Sequence, residues 1–170
     1  INILWILSHP SKITVDELVG YDLIYAASFK WAKWASGHFS RDIQPLLQAT
    51  DTLSFSTVRR PRPDSLSCAD GAAVFVGQTR PNGPRKVVMD ALGVGLDLRV
   101  WGELWERYIP TENIEGPYFP NDQLCALYQA ARVVLSDHHP DMAREGFIAN
   151  RLFDAVCSGA RVVSDSVEGI

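Results

Sequence analysis

Two stretches of this chain carry residue types that could do chemistry. The first runs Val76-Gly77-Gln78-Thr79-Arg80-Pro81-Asn82-Gly83-Pro84-Arg85-Lys86. A diphosphate is held by backbone N–H groups, the positive end of a helix dipole and Arg or Lys donors, and this segment offers all three. A solvated loop with a basic rim is the competing description. It is not a Walker loop, because the GxxxxGK[ST] order is missing. The second stretch, from Ser136 to Gly146, holds Asp137-His138-His139-Pro140-Asp141. Imidazole and carboxylate ligands on one loop suit zinc or manganese. Nothing elsewhere in the chain completes a ligand set, so no metal is expected, and the cluster is read as pocket wall. After it, Phe147, Arg151 and Asp154 fall on one face of a helix, while Ile148, Leu152, Ala155 and Val156 form its apolar side.

The elements around these residues alternate. Short runs rich in Val, Ile and Leu at 3–7, 23–27, 43–47, 73–77, 96–101, 133–136 and 161–164 predict strands with both faces covered. Between them lie helical segments at 29–39, 85–92, 123–132 and 147–157, and Thr14-x-x-Glu17 reads as a capping box. This is the pattern of parallel sheets covered by helices. In such sheets ligands sit beyond the carboxyl ends of the strands, where the two stretches fall. From Asp51 to Asp70 the periodicity lapses, and Arg59-Arg60-Pro61-Arg62-Pro63 reads as an extended connector. A domain boundary is expected there, dividing 1–58 from 71–170 across a linker at 59–70.

Composition narrows the function classes. The 170 residues are 46 % hydrophobic and 21 % charged, which excludes wholesale disorder. Sixteen Lys+Arg against twenty Asp+Glu give a net charge of −4, which argues against a surface that tracks nucleic acid. Cys68, Cys125 and Cys157 are odd in number and widely spaced, and read as reduced thiols of a cytoplasmic protein. No apolar run is long enough to span a membrane. The segment 29–39, with Lys30, Lys33 and its aromatics, is a weak candidate for peripheral membrane contact, its aromatics fitting a core role better. The chain opens on a strand without a basic leader and closes just after another, so a fragment is expected.

Phe75-Val76-Gly77-Gln78-Thr79-Arg80 with Arg85-Lys86, the run 123–136, and Glu145-Gly146-Phe147-x-x-Asn150-Arg151-x-Phe153-Asp154-Ala155 leading to Ser158-Gly159 together carry a resemblance. They are similar to the C-terminal domain of GT-B glycosyltransferases, nearest the group 1 transferases of the spore-maturation-protein-like branch. Residues 73–165 carry the likeness well, and 1–58 resemble the last strands of the N-terminal domain of the same family. The resemblance implies an α/β chain of two Rossmann-like parallel-sheet domains, the N-terminal one incomplete.

The resemblance also implies transfer of a sugar from a nucleotide-diphosphate-sugar donor to an acceptor hydroxyl on a glycan, lipid or small molecule, with no cofactor. Arg80, Arg85 and Lys86 would neutralise the diphosphate, with Gly77 beside it. Asp154 would accept the ribose hydroxyls, and Tyr118 would flank the base. Glu145, Gly146 and Phe147 would line the sugar side, with Asn150 and Arg151 among the donor-binding residues. His9 matches a histidine that faces the donor sugar. The two acids depart from the family spacing by one residue, a rotation of about 100° on a helix, which leaves Glu145 either a sugar ligand or a cap. An epimerase or hydrolase of the same fold and a noncatalytic nucleotide-sugar-binding module are the alternatives. A receiver-like domain does not fit, since the acidic cluster and late lysine it needs are not present in that order.

Overall fold

The computed structural model describes residues 1–61 and 63–170, apart from the side chain of Ser65. Arg62 of the expected connector lies outside the described residues. The chain is α/β, with two all-parallel sheets. It divides into two compact units: 1–49 with 138–150 and 165–170, and 50–137 with 151–164.

In the first unit, β1 (Ile3–Ile6), β2 (Leu23–Ala26) and β3 (Ile43–Pro45) pair side by side in that order. The capping box forms: the Thr14 N–H donates to Glu17 Oε2 at 2.7 Å, opening the short α1 (Val15–Leu18). In α2 (Phe29–Phe39) the Ser28 hydroxyl caps the Trp31 N–H at 3.0 Å. Trp31, Ala32 and Ala35 of α2 bury against Ile6, Ile24, Ala26 and Ile43. Side chains alternate across a strand, so the other face carries Ile3, Trp5 and Leu23, which are exposed. The expected coverage of both faces therefore fails in this sheet, because its described helical cover is on one side.

In the second unit the sheet order is β6-β5-β4-β7-β8, with β4 (Ala73–Val76), β5 (Leu98–Trp101), β6 (Ile114–Gly116), β7 (Val133–Ser136) and β8 (Val162–Ser164). Val74, Phe75, Leu98, Val100 and Val134 are fully buried, so here both faces are covered. Renumbered within the unit, the order is that of the first five strands of the doubly wound fold, with its switch point between β4 and β7. The helices are α3 (Lys86–Gly93), α4 (Leu124–Ala130) and α6 (Asn150–Cys157), while α5 (Pro140–Glu145) belongs to the first unit. Strand β6 escaped the sequence reading, being three residues with only one branched apolar side chain.

Three expectations are corrected. The stretch 59–70 is not a free connector: Asp64–Ala69 forms a 3-10 helix, Leu66 and Phe55 join the core, and Gln129 of α4 bonds the Ser56 and Val58 carbonyls at 2.8 and 3.0 Å. The second unit starts at Thr50. The helix expected at 147–157 begins at Asn150, leaving Phe147 and Ile148 outside it and Val156 exposed. Residues 140–145, expected as loop, form α5, with Pro140 in its first turn and Gly146 closing it at φ 74°.

Candidate functional site

Site residues in the second unit collect at the carboxyl ends of β4 and β7. Asp137 follows β7 directly and is buried. Its two oxygens meet two guanidiniums, Arg80 Nη2 at 3.0 Å from Oδ2 and Arg85 Nε at 3.1 Å from Oδ1. Arg80 is fixed by a tight turn, in which its N–H and carbonyl bond the carbonyl and N–H of Gly83 at 3.0 and 3.1 Å, with Pro81 at the second position. Arg85 is the N-cap residue of α3, and its guanidinium lies 5.5 Å from the centre of the Phe75 ring. Arg151, in the first turn of α6, covers the same ring at 4.9 Å and donates to the Val76 carbonyl. Three residues along α6, Asp154 accepts from the Thr50 hydroxyl at 2.6 Å and is buried. Three guanidiniums against the carboxylates of Asp137 and Asp154 leave this cluster net positive at the switch point. Burial pushes the Tyr128 phenol up, opposed by Arg151 and reinforced by Asp154, so it stays protonated at neutral pH.

Beside the cluster a cavity of about 340 Å³ opens at the ends of β4, β5 and β6, lined by Gly77, Gln78, Gly102, Glu103, Tyr118 and Asn121 among others. The backbones of β4 and β5 approach closely at its floor. A Cβ on Gly102, at φ 151°, would stand 2.1 Å from the Gly77 carbonyl oxygen. Gly102→Ala is therefore expected to destabilise the fold by about 1–3 kcal/mol. Gly37→Ala in α2, where no atom lies within 4 Å, is expected to stabilise by about 0.5–1 kcal/mol. Thermal unfolding should move the two midpoints in opposite directions, and an unchanged midpoint for Gly102→Ala contradicts the close approach.

The structure brings Gly77, Arg80, Arg85, Arg151 and Asp154 together in the second unit, with Tyr118 on the rim of its cavity. It changes what some of them do. Gly77 was expected beside the diphosphate; the ladder runs one residue past β4, and the Gly77 N–H donates to the Trp101 carbonyl at 2.7 Å. The Gly77 carbonyl accepts from Trp105 Nε1 at 2.8 Å. Lys86 points outward and pairs with Asp90 at 2.5 Å, one helical turn on. Asn150 is the exposed first residue of α6.

The remaining residues lie in the first unit. Phe147 does not line a pocket: it is wholly buried in the core, 5.8 Å from Trp31 edge to face. Glu145 was read at a helix start, but it is the last residue of α5, with its carboxylate 2.8 Å from Arg144 Nε and its carbonyl accepting from Ser28 Oγ at 2.5 Å. Gly146 packs 3.2 Å, from the position of an added Cβ, against that same Ser28 hydroxyl. His9 holds a left-handed backbone, φ 51° and ψ 49°, which costs a non-glycine residue about 1–2 kcal/mol. Its Nδ1 lies 3.9 Å from Asp141, and its ring 4.9 Å from that of His139. Burial raises the Asp141 carboxyl, but the Ser11 hydroxyl, the Met142 N–H and His9 outweigh it and hold the group below the usual carboxylate range.

His138 is committed to structure. Nε2 accepts from the Ala149 N–H at 2.8 Å, which assigns the proton to Nδ1, 2.6 Å from Asp165. Among the described residues no group of three or more His, Cys, Asp or Glu is placed to hold a metal ion. Among the described residues none of the three cysteines forms a disulfide, and burial and the Glu115 carboxylate push the Cys68 thiol up. No described helix is long and apolar enough to cross a membrane.

Phe75 and Gly102 were not singled out for the site from the sequence, and Asp137 was read only as pocket wall within its histidine cluster. Asp137 had a legible signal: it follows β7 as Gly77 follows β4, and the residue after each parallel strand faces the ligand crevice. The second sheet is thus parallel and Rossmann-like, with a cationic cluster at its switch point. Residues 85–170 match the family described as glycosyl transferase-like, and the chain belongs to that family. No curated protein matches the chain.

Proposed function

We propose that this chain transfers a sugar from a nucleotide-diphosphate-sugar donor to an acceptor hydroxyl, and that the second unit grips the donor. The observation that carries the reading is the convergence of Arg80, Arg85 and Arg151 around Phe75 and Asp137 at the carboxyl ends of β4 and β7. In glycosyl transfer the bond between the sugar's anomeric carbon and the phosphate oxygen breaks, and the electron pair leaves with the diphosphate. The acceptor oxygen bonds that carbon and gives up its proton. Negative charge grows on the leaving diphosphate while the sugar becomes oxocarbenium-like. Fixed guanidiniums aimed at those oxygens stabilise that state more than the ground state.

Asp137 holds two arginines in place before any ligand arrives, so little reorganisation accompanies binding. The cavity beside the cluster suits a planar base, with Tyr118 on its rim and Glu103 and Asn121 as polar partners. Asp154 is placed in this reading to take the ribose hydroxyls, in exchange for or alongside Thr50. His9 and Glu145, which the resemblance turns toward the donor sugar, are the candidate catalytic residues of this reading. Transfer proceeds without a metal, because the arginines supply the countercharge. Membership of the group 1, spore-maturation-protein-like branch is supported by the run Asn150-Arg151-x-Phe153-Asp154-Ala155. A cytoplasmic location is the reading that cysteines outside disulfides favour.

Incubation with a panel of UDP- and GDP-sugars tests the reaction type. Release of the nucleoside diphosphate that rises when saccharide or lipid acceptors are added is the expected result. Release only to water, or isomerised donor, would replace transfer by hydrolysis or epimerisation. Binding without turnover would make the chain a donor-binding module.

A further inference from the structure

The first unit contains a cavity of its own, of about 390 Å³, in which Glu145 is the one lining residue that the donor reading names. One side is aromatic and apolar: Trp34, His38 and Phe39 from α2, with Pro10 and Ile13 from the segment after β1. The other is polar, formed by Arg144 and Glu145 at the end of α5. Trp34 is 52 % exposed although it sits among aromatics, and its indole is stacked on the His38 ring at 4.6 Å with 15° between planes. Phe39 abuts the indole edge to face at 5.9 Å, so the platform is braced on two sides. Beneath it Trp31 is buried and closes the floor.

The polar side narrows the ligand class. Arg144 Nε and Glu145 Oε1 are 2.8 Å apart, so the two charges largely cancel and neither an anion nor a cation is favoured by the pair. What the pair does offer is hydrogen-bond donors from a guanidinium and acceptors from a carboxylate, side by side. A purely apolar ligand would cover these groups and leave them unsatisfied, which is unfavourable. A saccharide ring has a flat face of C–H groups and a periphery of hydroxyls that each donate and accept. It satisfies both sides of the cavity at once, with the C–H face on the Trp34 platform and hydroxyls on Arg144 and Glu145.

We infer that this cavity binds a neutral saccharide ring. Saccharide binding by this cavity goes beyond the transfer reading above and does not depend on it. Saturation-transfer NMR on the full chain, with the methyl glycosides of glucose, galactose, mannose and N-acetylglucosamine, tests it. At least one glycoside should receive saturation on its ring C–H protons. Trp34→Ala should weaken that binding about tenfold or more, and Trp34→Phe should restore most of it. Trp34 is half exposed, so the Ala variant should stay folded, and calorimetric titration of UDP and GDP into the same sample checks this independently. Saccharide binding with no nucleotide binding would remove the transfer reading and leave the cavity assignment standing. Nucleotide binding with no saturation transfer to any glycoside, or saturation undiminished in Trp34→Ala, would overturn the cavity assignment.

Discussion

Asp137→Asn is expected to destabilise the protein by about 3–5 kcal/mol, the range for removing one partner of a buried ion pair. The carboxylate is 6 % exposed and is shared by Arg80 and Arg85, whose side chains are 18 % and 10 % exposed. Asparagine keeps the shape and one acceptor oxygen but removes the negative charge that lies between two guanidiniums. Their repulsion in a poorly hydrated site is what drives the loss. Chemical denaturation should show a lower midpoint with an unchanged slope. Diphosphate in the buffer should recover part of the loss, because an anion bound to the folded state supplies the missing charge. A wild-type midpoint would mean that the arginines do not depend on Asp137.

Arg80→Ala is expected to behave in the opposite way, with a modest effect on stability and a large one on chemistry. Arg85 still pairs with Asp137 in that variant, so no buried charge is stranded. Arg80 is the more exposed of the two and is carried on the turn closed by Gly83, which suits it to reach a ligand. Loss of one charged phosphate donor lowers turnover by a factor of roughly tens to thousands. Arg80→Lys should recover part of it, since charge survives while the fork geometry does not. Steady-state rates with a nucleotide sugar check this, and wild-type kcat/KM in Arg80→Ala would remove Arg80 from the site.

Much of this arrangement was readable in the residues. Continuous apolar runs located seven of the eight strands, because a strand buried on both faces must be apolar along its length. The same rule misled at β1 and β2, whose apolar residues are as dense as those of β4 although one face is open. An exposed Ile3 and a buried Ile6 look alike in sequence. Arg80 and Arg85 were visible as cations after a strand, and the structure adds that they share one carboxylate. Asp137 was seen only as part of an apparent ligand cluster with His138. Its true partners lie more than fifty positions earlier, and pairing at that range leaves no local periodicity. The intervals that failed, Glu145 and Phe147, turned on α5. Six residues with proline in the first turn make too short a helix to show an apolar stripe. Without it, the end of one helix was taken for the start of the next.

Gly77 shows a second kind of limit. Glycine after a strand signals either a ligand approaching the backbone or another backbone doing so. Here the neighbour is Gly102, and the two readings are indistinguishable until the strands are paired.

The central claim is that the arginine cluster at the switch point of the second sheet grips a diphosphate. Calorimetric titration of UDP and GDP into the wild-type chain and into Arg80→Ala, each at low and high salt, addresses it most directly. The account predicts one site per chain for at least one nucleotide, weakened by salt and weakened tenfold or more by the substitution. Equal affinity in both proteins, or no binding of either nucleotide to the wild-type chain, would contradict it.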